Sequence, residues 1–93
     1  AMLSAAYPMY DRERQVLELE VKNYGLSVSR PSHVAVLCGG RTLAEGEVGK
    51  LPPYGVQEMR METAFVPVPE DLSTLTVVFY TDGRETGRDI LKY

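Results

Sequence analysis

The stretch Val16-Leu17-Glu18-Leu19-Glu20-Val21-Lys22 decides how this chain folds. In an extended backbone successive side chains point to opposite sides, so Leu17, Leu19 and Val21 share one face and Glu18, Glu20 and Lys22 the other. That is a strand with one buried and one wet face, the mark of an antiparallel sheet. Glu58-Met59-Arg60-Met61-Glu62-Thr63-Ala64-Phe65 repeats the pattern, with Met59, Met61 and Phe65 inward and Glu58, Arg60 and Glu62 outward. No segment sustains the 3.6-residue period of a helix.

Outward from these two strands the chain is a series of short extended segments closed by turn residues. Val34-Ala35-Val36-Leu37 is more uniformly apolar and stops at Gly39-Gly40, a pair suited to the positive φ angles of a two-residue hairpin; Arg41 to Glu47 is its return strand. Leu75 to Tyr80, rich in β-branched and aromatic residues, ends at Asp82-Gly83 and returns as Arg84 to Leu91. Pro8 and the charged run Asp11 to Arg14 predict a short edge strand near Ala5-Ala6-Tyr7, then a solvated turn. Longer connections run from Asn23 to Pro31, Gly49 to Gly55 and Pro67 to Asp71. Seven short strands with frequent turn signals predict an all-β, immunoglobulin-like antiparallel sandwich. Leu19, Val21, Val36, Met61, Val77 and Phe79 are its expected core. Residues 15–93 form the sandwich proper; residues 1–14 hold the short strand, its turn and an Ala1-Met2 start that reads as a cloning scar on a piece of a longer protein.

Composition excludes several functions. The chain has 93 residues, 44% apolar and 25% charged, enough for one core. Its formal charge of −3 is spread without blocks, and no basic stripe is present for a phosphate backbone, so nucleic acid is not an expected partner. No apolar run reaches the ~20 residues needed to cross a bilayer as a helix, and membrane insertion is not expected. Cys38 is the single cysteine, which leaves no internal disulfide and no cysteine-based metal site.

Three pieces of punctuation carry a family resemblance: Leu19-Glu20-Val21-Lys22-Asn23-Tyr24-Gly25, the Val34-Ala35-Val36-Leu37 strand with Gly39-Gly40, and Leu51-Pro52-Pro53-Tyr54-Gly55. Over roughly residues 15–91 the chain resembles CARDB-type domains, the cell-adhesion-related, immunoglobulin-like modules of bacterial and archaeal surface proteins. The resemblance implies a non-catalytic accessory module of an extracellular, periplasmic or cell-surface protein, with no catalytic residues to carry over. Where that family has a Leu-x-Pro-Gly corner, this chain places Tyr54 between Pro53 and Gly55.

Residues able to do chemistry are few. His33, the only histidine, enters a strand without an obvious base partner and is expected to be a partly exposed polar residue. Cys38 closes an apolar strand and is expected to be buried. Asp82, Glu85 and Asp89 lack the alternating ligand spacing of a calcium loop, and no metal or cofactor is expected. The tyrosines stand out, because Tyr7, Tyr10, Tyr24 and Tyr54 all fall in or beside predicted loops. Tyr24 and Tyr54 either plug the ends of the core or stack on sugars, which would make the chain a carbohydrate-binding accessory domain. A second expected contact surface is the edge strand Arg41–Val48, with Leu43, Ala44 and Val48 unguarded by proline and Tyr54 in the adjoining loop. Its expected partners are another domain of the parent chain, a separate protein, or a second copy in a weak homodimer.

Overall fold

The structure, a computed structural model, describes residues 2–93; Ala1, half of the expected scar, lies outside the described residues. Among the described residues seven strands are present: β1 (Leu3–Asp11), β2 (Val16–Asn23), β3 (Ser32–Cys38), β4 (Arg41–Val48), β5 (Val56–Glu62), β6 (Thr74–Thr81) and β7 (Arg84–Lys92). They form two antiparallel sheets, ordered β1-β2-β5 and β4-β3-β6-β7. This is the expected seven-stranded sandwich. Compared with the constant-type immunoglobulin arrangement, the fourth strand lies beside the third instead of in the opposite sheet.

Alternation builds the core as predicted. Leu17 and Leu19 lie opposite Met61 and Met59 in one sheet, while Val34, Val36 and Cys38 lie opposite Phe79, Val77 and Leu75 in the other. Leu19, Val21, Val36, Met61, Val77 and Phe79 all belong to one buried cluster between the sheets. Ala35 and Val78 face the other way yet are also buried, because β3 and β6 have neighbours on both sides. That explains the continuous apolar run at residues 34–37. Both hairpins turn at the predicted pairs, with Gly39 and Gly40 at φ 59° and 78° and Asp82 and Gly83 at 53° and 78°.

Three expectations need correction. β1 is a nine-residue strand, not a short one: Tyr7, at φ 57°, and Pro8 occupy a bulge between Ala6 and Met9, so the ladder skips the residue without an N–H and resumes. β5 stops at Glu62, before Phe65, because the following backbone turns toward other strands: the Thr63 N–H donates to the Gln15 carbonyl and the Ala64 N–H to the Leu43 carbonyl. Phe65 still lies partly against the core, with the Arg41 guanidinium 3.9 Å from its ring centroid. The β5–β6 connection also contains a 3₁₀ turn, Asp71–Ser73, that drops Leu72 into the core.

The sheet edges are drawn together at two seams. Along the first, side chains of β7 and of Tyr93 just after it satisfy β1 backbone: Asp89 accepts from the Ala5 N–H (2.8 Å) and the Tyr93 hydroxyl from the Tyr10 N–H (2.8 Å). Along the second, the Gln57 amide on β5 donates to the Glu47 carbonyl (3.2 Å) and accepts from the Gly49 N–H (3.1 Å). Gly46 on β4 lies close to the methionines of β5, since a Cβ would come within 2.7 Å of the Met59 methyl carbon and that flexible side chain would have to shift.

Candidate functional site

The expected edge surface does not present the side chains assigned to it. Leu43, Ala44 and Val48 are all buried in the core. The cause is a bulge opposite Val36 and Leu37, which lets two consecutive residues, Leu43 and Ala44, both turn inward. The backbone of that edge is also partly occupied, as the Leu43 carbonyl accepts from Ala64 and the Glu47 carbonyl from Gln57. Tyr54, the fourth residue of the set, is exposed.

The same bulge aligns His33 with Glu47 and Ala35 with Glu45. His33 Nδ1 lies 2.6 Å from Glu47 and Nε2 lies 3.1 Å from Glu45, so one carboxylate meets each ring nitrogen. Hydrogen bonding to Glu47 first, and to Glu45 second, raises the His33 pKa above that of an ordinary histidine. The ring is partly exposed and stands beside Tyr80, with centroids 6.3 Å apart. This trio was missed because an unbroken ladder from Gly39-Gly40 would place these residues one step out of register. Cys38 is buried, and burial pushes its thiol pKa up, which disfavours the reactive thiolate. The three carboxylates near the last hairpin go to separate partners: Asp82 to Arg30, Glu85 to Arg88, and Asp89 to the Ala5 N–H.

The loop tyrosines do not plug the core. Tyr24 is 49% and Tyr54 60% exposed, and Lys22 joins them: its Nζ lies 4.9 Å from the Tyr24 ring centroid and 5.8 Å from that of Tyr54. Asn23, fully buried, holds this arrangement. Its side-chain N–H groups donate to the carbonyls of Ser27 (2.8 Å) and Leu51 (2.9 Å), and its Oδ1 accepts from the Gly25 N–H (2.9 Å). The last bond is an Asx turn, the physical content of the Asn-Tyr-Gly spelling. The Asn23 carbonyl accepts from the Tyr54 N–H (2.7 Å), and the Tyr24 N–H donates to the Met2 carbonyl (2.7 Å).

A second lock joins the two loops. The Ser29 N–H donates to the Leu51 carbonyl (2.8 Å), and the Leu51 N–H donates to the Ser29 hydroxyl (3.0 Å). The Pro52-Pro53-Tyr54-Gly55 turn closes with a bond from the Gly55 N–H to the Pro52 carbonyl (2.8 Å). Its third position, Tyr54, has φ 62°, a conformation in which glycine is the unstrained residue. Gly55 is itself dictated by space, since a Cβ would come within 2.7 Å of the Pro52 ring. The site is therefore two exposed rings on loops fixed by buried polar bonds, beside one cation at the end of β2. The sequence singled out both tyrosines, but not Lys22 beside them.

No protein-family model matches this chain, and no curated protein is significantly similar to it.

Proposed function

We propose that this chain is a non-catalytic interaction or accessory module of a larger extracytoplasmic protein, and that it makes contact through the end of the sandwich bearing Tyr24 and Tyr54. The observation that carries this reading is the gathering of exposed apolar side chains there. Met2, Tyr24, Leu26, Val28, Tyr54 and Val56 are all exposed, Leu26 at 88%, on segments tied together by the Asn23 and Ser29 bonds. Apolar surface collected on locked loops suits a partner domain, because little conformational entropy is lost on docking. The CARDB-like punctuation supports an adhesive role and an extracytoplasmic setting. The proposed contact therefore moves from the β4 edge, whose apolar side chains are internal, to the adjoining loop end.

A carbohydrate-binding role is the second reading, and one observation favours it: Tyr24 and Tyr54 are exposed on one surface around a shared cation. A chemical-shift titration of the 15N-labelled domain with neighbouring segments of its parent chain tests the first reading. Shifts gathered at residues 22–28 and 54–56 are expected. Shifts gathered along residues 41–48 would place the contact on the β4 edge and overturn the assignment.

A further inference from the structure

We infer that Lys22, Tyr24 and Tyr54 form a binding site for a carboxylated saccharide, a sugar of the uronic-acid type; this rests on the carbohydrate reading and adds the ligand's charge. Lys22 lies at the end of β2, opposite Ser4 on β1 and Val56 on β5. It is half-buried, and among the described residues it has no carboxylate within salt-bridge distance. Arg14, Arg30, Arg60 and Arg88 each have a carboxylate partner, and Lys22 differs from the other cations without one in lying against two tyrosine rings. An ammonium lying against two rings has given up part of its water and received only the rings' weak negative potential in return. A carboxylate arriving from solvent supplies the missing charge-assisted hydrogen bond.

The rings define what should carry that carboxylate. Tyr24 and Tyr54 present exposed aromatic surface beside the cation, suited to the C–H faces of pyranose rings next to the charged group. Charge nearby sets an upper limit on the ligand. Glu20 and Glu58 sit opposite each other on the same sheet face, one step inward from the Lys22 and Val56 pair. Their repulsion disfavours densely charged sulfated or phosphorylated chains and leaves room for one carboxylate at the cation. The fixed loops complete the site, since the Asn23 and Ser29 bonds hold both tyrosines before any ligand arrives.

The test is a titration of the domain, followed by calorimetry and by amide chemical shifts, with three probes: a galacturonic acid trisaccharide, the matching neutral galactose trisaccharide, and sodium acetate. The acidic trisaccharide should shift the amides of residues 22–25 and 54–55 and bind about tenfold or more tighter than the neutral one, with no saturable binding of acetate. Lys22→Met should erase the preference for the acidic probe without changing the melting temperature, whereas Tyr24→Ala should weaken both saccharides. Equal binding of the two trisaccharides at the tyrosines would overturn the carboxylate assignment and leave carbohydrate binding standing. Binding of neither would overturn both.

Discussion

Tyr54 is the residue at which stability and proposed use of the site diverge. A non-glycine side chain at φ 62° in the Pro52–Gly55 turn carries strain of about 1–2 kcal/mol, which the exposed ring does not recover by burial. Tyr54→Gly is predicted to stabilise the domain by about 1 kcal/mol in a urea melt while removing one wall of the site. Asn23 works in the opposite sense. Asn23→Ala strands the Ser27 carbonyl and the Gly25 N–H at the loop end, leaves the Leu51 carbonyl with Ser29 alone, and should cost about 2–3 kcal/mol, with the largest shift changes at residues 24–29 and 51–55. At His33 the prediction concerns pH. Its folded pKa is raised above the unfolded value of about 6.5, so its contribution to stability is fully present below that value and fades as pH rises through the folded one. An NMR titration should find the raised value, and Glu47→Gln should lower it more than Glu45→Gln, in keeping with the shorter hydrogen bond.

Among the strands, what could be read in advance was set by local rules, and what could not was set by exceptions to them. Leu17, Leu19 and Val21 alternate strictly, and Gly39-Gly40 and Asp82-Gly83 are the residues that tight hairpins demand, so the core and both hairpins were legible. Register was not. Pro8 marks an interruption without telling that β1 resumes after it, and the bulge opposite Val36 and Leu37 leaves no distinctive composition, yet that bulge turns Leu43 and Ala44 inward and delivers His33 to Glu45 and Glu47. Lys22 is hidden for a similar reason: it is an ordinary outward residue of β2 until the distant loop carrying Tyr54 folds beside it and the adjoining Tyr24. The seams are equally long-range, since Gln57 and Asp89 reach backbone groups on other sheets. Gln57→Ala removes one seam's bonds and frees the Glu47 carbonyl and Gly49 N–H on the β4 edge. The variant is predicted to lose about 1 kcal/mol and to self-associate more strongly than the wild type in sedimentation; equal association would mean that this amide does not guard the edge.

For the molecule as a whole, two sheets share one core, with Phe79 among its largest fully buried side chains. Phe79→Ala should cost about 3–5 kcal/mol, a large part of the ~5–15 kcal/mol that holds a domain together. Packing, seams and loop locks supply the stability in this account, so thermal melts with and without a chelator should coincide. What the fold contributes to the proposed contact is a rigid end: buried polar bonds from Asn23 and Ser29 fix the two loops that carry Tyr24 and Tyr54 beside Lys22. Backbone 15N relaxation of the free domain measures that rigidity directly. Order parameters near about 0.85 through residues 23–29 and 51–55, equal to those of the strands, are the predicted result, and values below about 0.6 in either loop would contradict it.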